Sequence, residues 1–110
     1  MTIQTDTKLK IVTIALDGEI DASNAIYLDK TLEKAFSSAL PHIFLNCEKL
    51  EYISSAGLGV IMSYIQEVQD RSLNFIIYGL SEDVLEVFQI LGLNTLLRIV
   101  STKVRALELI

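Results

Sequence analysis

Residues 43–78 read IFLNCEKLEYISSAGLGVIMSYIQEVQDRSLNFIIY, and their hydrophobic spacing decides the fold. Ile43 to Cys47 is a short apolar run of the kind that fills a strand covered on both faces. Leu58, Ile61, Ile65 and Val68 then recur at intervals of three and four, which puts them on one face of a helix. Leu73 to Tyr78 returns to a run rich in β-branched and aromatic residues, and Gly79 ends it. Strand, helix and strand in that order make a βαβ unit, whose two strands lie parallel.

The same alternation continues in both directions. Upstream, Lys10 to Leu16 sets Val12, Ile14 and Leu16 against Ile11, Thr13 and Ala15, as a strand with one wetter face would. Ala25, Leu28, Leu32, Ala35, Phe36 and Ala39 follow at helical offsets, and Pro41 punctuates the chain before the next strand. Downstream, Ser81 and Asp83 precede Val84, Val87, Phe88 and Leu91, a helical row expected in the core, with Gly92 as the stop. Leu97 to Val100 reads as a last short strand, and Thr102 is placed to cap a final turn carrying Val104 and Leu107. Thr2 to Asp6 adds an edge strand. The expectation is one α/β domain over residues 1–110, with a largely parallel sheet and right-handed crossovers.

Composition narrows the function. A chain of 110 residues that is 51% hydrophobic buries roughly 65% of its unfolded surface and folds without help. Nine Lys plus Arg against fourteen Asp plus Glu gives a net charge of −5 with no basic cluster, which argues against a nucleic-acid partner. No apolar stretch approaches the ~20 residues of a membrane span, and Met1 to Lys10 lacks the pattern of a secretory signal. The single cysteine, Cys47, has no internal partner for a disulfide, which fits a reducing compartment, and the cytoplasm is the expected location.

Two segments fall at strand-to-helix junctions, where open α/β sheets present their functional surface. Asp17-Gly18-Glu19-Ile20-Asp21-Ala22-Ser23 holds three carboxylates in five residues, but no His and no phosphate-cradling glycine run. Its simplest reading is structural, with Asp21 or Ser23 capping a helix and Gly18 permitting a tight turn. Glu51 to Val60 places Ser54 and Ser55 where the next helix begins, and a serine there caps the free N–H groups. Gly57 and Gly59 lack the third glycine of a dinucleotide fingerprint and the Lys-Ser/Thr of a P-loop, so no cofactor is expected. A serine hydrolase using Ser55 needs a base, yet the only histidine, His42, is predicted at the far end of its strand, roughly 17 Å away. No Gly-x-Ser-x-Gly elbow is present either. Cys47 reads as a small core residue, because nothing cationic lies nearby to lower its pKa.

These segments resemble the STAS domain family, the bacterial anti-sigma-factor antagonists. The residues that carry the resemblance are Leu16 to Asp21, Leu45-Asn46-Cys47 leading into Tyr52 to Val60, and Phe88-Gln89-Ile90-Leu91-Gly92-Leu93. In the family, the segment similar to Ile53 to Gly59 commonly has an Asp, then a phosphorylatable Ser, then Ser or Thr, then Gly-Leu. The acceptor's place falls on Ser55, with Ser54 as second choice. Ser54 stands where the family often has Asp, and Ala56 where it often has Ser or Thr.

The resemblance implies a four- or five-stranded mixed sheet packed against about four helices, with the Thr2 to Asp6 strand antiparallel. It also implies a protein ligand rather than an enzyme. In its unphosphorylated form such a ligand binds an anti-sigma factor serine kinase and frees a sigma factor; phosphorylation on Ser55 ends binding and a PP2C-type phosphatase restores it. The expected partner surface combines Asp21, Ser23, Ser54 and Gly57 with Met62 and Gln66, and Asp21 is the leading contact. The alternative is a STAS subunit of a signalling scaffold or transporter complex, with constitutive binding and Ser55 acting only as a helix cap.

Overall fold

The computed structural model describes all of residues 1–110. Five strands, β1 (Thr2–Asp6), β2 (Ile11–Ile20), β3 (His42–Ile53), β4 (Asn74–Tyr78) and β5 (Arg98–Val100), lie in sequence order in one sheet. β1 pairs antiparallel with β2, and every later pair is parallel. The crossovers carry α1 (Ala25–Phe36), α2 (Ser55–Met62) with α3 (Ile65–Asp70), and α4 (Glu82–Ile90) with a 3-10 turn at Leu93–Thr95. A short α5 (Lys103–Leu107) follows the last strand. This is the largely parallel α/β sheet expected from the alternation of strands and helices, with the antiparallel edge strand that the resemblance implies.

Both faces of the central strands are covered, which is why they read as unbroken apolar runs. Ile43, Leu45 and Cys47 of β3 and Phe75 and Ile77 of β4 point into the large core beneath α1, α2 and α4, against Leu28, Leu32, Phe36, Leu58, Ile61, Val84 and Phe88. Phe44, Ile76 and Tyr78 point the other way, into a smaller cluster with Ile11 and Ala106 that α5 closes. Each fully buried Leu, Ile or Phe contributes about 1.5–3 kcal/mol by leaving water.

β2 and β3 both run well past their expected ends, to Ile20 and Ile53 rather than Leu16 and Cys47. The β3–β4 ladder stops at Asn46 opposite Tyr78, while β2 and β3 stay paired as far as Ile20 opposite Ile53. Two register shifts, between Ala15 and Asp17 and between Gly18 and Glu19, interrupt that pairing. Period-two alternation is therefore lost, and Cys47, Leu50 and Ile53 are buried at intervals of three. Gly18, expected in a turn, sits inside β2 with φ +67° at one of these shifts. Beyond β4 the edge of β3 is open, and the Glu48 N–H donates to the Asn46 side chain (3.0 Å) in place of a ladder bond. Exposed Glu48, Lys49 and Glu51, together with the bulges, keep that edge from recruiting another strand.

The helix expected from Leu58 to Val68 is two helices. At the break, the Ser63 hydroxyl donates to the Val60 carbonyl at 2.6 Å, a local bond that competes with helix propagation. The next residue, Tyr64, donates its hydroxyl to the Asp29 carboxylate of α1 at 2.7 Å and packs its ring 4.7 Å from Phe36. The row assigned to α4 also divides. Val84 and Phe88 are buried, but Val87 and Leu91 are exposed, because α4 rests on the sheet along a narrow face. In α5 the capping role of Thr102 holds, with the Arg105 N–H donating to its hydroxyl, whereas Val104 faces solvent and Ala106 is the buried residue.

Candidate functional site

The end of the β2–β3 ribbon positions the site. Where β3 stops, the Ser54 N–H donates to the Ile20 carbonyl at 2.7 Å, fixing the chain as it turns into α2. Ser54 takes the N-cap position in extended conformation (φ −83°, ψ 171°), and its hydroxyl accepts the Gly57 N–H at 3.3 Å. That side chain is thereby committed and half-buried. Ser55 is the first helical residue, exposed, and outside the cap's hydrogen bond. The first turn of α2 carries no acidic side chain, so no residue of the helix itself offsets its free N–H groups and the positive end of its dipole.

Gly57 is buried. A Cβ there would lie 2.8 Å from Ile20 Cγ2 and from Ile53 Cγ1, so α2 approaches the ribbon through its backbone. Expected on the partner surface, Gly57 is instead a packing position that sets how close α2 lies.

One residue beyond Ile20, the Asp21 loop is folded on itself. The Asp21 carboxylate accepts the Ser23 hydroxyl at 2.5 Å and the Ser23 N–H at 2.9 Å, and these bonds hold its pKa below the ordinary carboxylate value. Neither Asp21 nor Ser23 caps α1. Asn24 occupies the N-cap position, and its side chain looks backwards, accepting the Asp21 N–H at 2.8 Å and donating to the Glu19 carbonyl at 2.8 Å. Asn24 is the residue that sequence reasoning missed. Its signal was an Asx pattern, a second short polar side chain three residues after Asp21.

The structure thus brings Asp21, Ser23, Ser54 and Ser55 to one end of the molecule through the shared anchor Ile20. Met62 and Gln66 are not part of this cluster. Met62 is half-buried against the core at the far end of α2, about 10 Å along the helix. Gln66 lies beyond the break, exposed, with its amide on Asp70 at 2.9 Å. Exposed Tyr52, opposite Glu19 on the ribbon, stands close to the serines, and Ile26 and Tyr27 expose themselves on the first turn of α1. Tyr64 and Tyr78 are packing residues.

The structure places no histidine near Ser55. His42 begins β3 and its Nδ1 pairs with the Asn74 amide at 2.9 Å. Because β3 spans 12 residues rather than five, the separation from Ser55 is on the order of 30 Å. Cys47 is buried in the sheet, and desolvation pushes its thiol pKa up to about 12. The carboxylates of the Asp17 to Asp21 segment do not converge: Asp17 pairs with the Met1 ammonium at 3.0 Å while Asp21 turns onto Ser23.

The fold has counterparts among known proteins. The STAS domain model matches residues 2–106. An anti-sigma-B factor antagonist of Staphylococcus aureus is 25% identical over 99 residues, covering 90% of this chain and 92% of its own. An anti-sigma factor antagonist from Mycobacterium paratuberculosis shares the fold at a TM-score of 0.86 and 17% identity, over 97% of this chain and 91% of that one. SpoIIAA of Bacillus shares it in two states. The unphosphorylated form has a TM-score of 0.72 at 22% identity, covering 94% and 90% of the two chains, and the phosphorylated form 0.69 at 24%, covering 97% of each. A model match over nearly the whole chain, on a sheet whose β2–β3 ribbon delivers two serines to a helix start, means that this chain belongs to the STAS domain family.

Proposed function

We propose that this chain is an anti-sigma-factor antagonist of the cytoplasm, a protein-binding switch whose phosphorylation site is Ser55. Unphosphorylated, it binds an anti-sigma factor serine kinase and so releases a sigma factor. Phosphorylation of Ser55 by that kinase ends binding, and a PP2C-type phosphatase returns the chain to its active form. The partner surface is the Ser54–Ser55 corner with the Asp21–Ser23 loop, Asp21 being the main contact.

The observation that carries this reading is the division of labour between the two serines. Ser54 spends its hydroxyl on the α2 cap, while Ser55 presents its own to solvent beside it. A phosphate on Ser55 would sit at uncompensated N–H groups and gain the helix dipole, so the domain keeps its fold. What changes is the outer charge. The phosphate adds about 1.5–2 negative charges beside exposed Glu19 and Glu51 and half-buried Asp21. At ~8 Å and an effective dielectric near ~40, each pair of like unit charges costs roughly 1 kcal/mol, so two or three pairs weaken an acidic partner's binding at least ~10-fold. SpoIIAA matches this fold in both its unphosphorylated and its phosphorylated form, which supports a switch of surface rather than of structure.

The test is intact mass and site mapping of the protein isolated from its own cells, with Ser55→Ala as control. One added phosphate on Ser55, absent from the variant, is the expected result. Phosphate on Ser54 alone overturns the assignment of the acceptor. No phosphate under several growth conditions overturns the switch and favours a constitutive STAS subunit of a scaffold or transporter complex.

A further inference from the structure

The exposed row on α4 has no role in the Ser55 surface. Val87, Ile90 and Leu91 are 38%, 74% and 57% exposed, spaced three and four apart so that they form one stripe. Asp83 lies one turn before Val87 and Glu86 one turn before Ile90, and the first turn adds Glu82. The helix holds no Lys or Arg to answer them. β3 and β4 are parallel and α2 and α4 follow them directly, so the two helices start at the same end of the sheet. Ile90 and Leu91, at the last turn of α4, therefore lie towards the opposite end from Ser55.

We propose that this stripe is a second docking surface, for a basic amphipathic helix of a partner protein. Its apolar side chains cover Val87, Ile90 and Leu91, and Lys or Arg one turn away meet Asp83 and Glu86. Charge selects this occupant. A second copy of the chain, with a net charge of −5, would set acid against acid along the same helix, and an anionic lipid surface would be repelled in the same way. A partner held here stays attached whatever the state of Ser55, so the chain carries one switched and one constitutive contact.

The test is a titration of the isotope-labelled full chain with a short helical peptide of Leu and Lys, followed through backbone amide shifts. The expected result is a set of saturable shifts over Asp83 to Leu91, weakened roughly 10-fold by Ile90→Ser and again by Glu86→Lys, and absent with a Leu and Glu peptide of the same pattern. Ile90 is an exposed residue, so its variant is expected to keep the parent's thermal midpoint; Leu91→Ser serves as a second variant if it does not. Three outcomes overturn the proposal. One is no shift at these residues, or equal affinity for parent and both serine variants. The second is self-association in sedimentation equilibrium that Ile90→Ser abolishes, which gives the stripe to another copy. The third is binding to lipid vesicles that the same variant abolishes.

Discussion

Ser54 holds Ile20 and Gly57 at once, its N–H on the Ile20 carbonyl at 2.7 Å and its hydroxyl on the Gly57 N–H at 3.3 Å. Ser54→Ala is therefore expected to destabilise the fold by about 0.5–2 kcal/mol, and Ser55→Ala by less than ~0.5 kcal/mol. Ser54→Asp is expected to regain the cap and to add ~0.3–1 kcal/mol from the helix dipole. Denaturant midpoints of the three variants check this; equal losses at Ser54 and Ser55 would show that the cap is shared.

Gly57 and Gly59 are predicted to respond with opposite signs to the same change. Ala at Gly57 meets Ile20 and Ile53 at 2.8 Å and is expected to cost about 1–3 kcal/mol, while Ala at Gly59 meets nothing within 4 Å and is expected to stabilise α2 by up to ~1 kcal/mol. Thermal unfolding of the pair, under matched conditions, reads the difference directly.

Tyr64 sets a limit on stability at high pH. Burial, and then the Asp29 carboxylate that accepts its hydroxyl, raise its pKa above the ordinary 10.0. The folded state therefore keeps a proton that the unfolded chain loses. Its contribution is complete below pH 10.0 and falls away as pH rises from there through the folded value. Urea midpoints are expected to decline with pH above that value, and Tyr64→Phe is expected to flatten the decline.

Phosphorylation of Ser55 is expected to move amide shifts in the Asp21–Asn24 loop and the first turn of α2, and to leave the β2, β3 and β4 ladders where they are. Shifts spread through the sheet would mean a conformational switch instead.

Much of this was legible in the sequence, for reasons that also explain what was not. Strands covered on both faces announce themselves as apolar runs, and Ile43 to Cys47 and Leu73 to Tyr78 did so. The β2–β3 extension did not, because its bulges replace alternation with burial every third residue at Cys47, Leu50 and Ile53. A row of apolar residues gives the helix but not the width of the face it buries, so Val84 and Phe88 could not be told from Val87 and Leu91. At the site, Ser54 and Ser55 were visible as a pair, but only the hydrogen bond to Gly57 separates cap from exposed hydroxyl. Asn24 escaped because its side chain serves Asp21 and Glu19, upstream of the helix it precedes.

The sequential strand order has a consequence for how the molecule is made. Every pairing in β1-β2-β3-β4-β5 joins neighbours in the chain, so no segment waits for a distant partner and the loops closed during folding stay short. A chain emerging from the ribosome adds its βα units one at a time. The Asp21 loop, both serines and all of α2 lie within residues 1–62, so the parts of the proposed switch emerge before α4 and its apolar stripe.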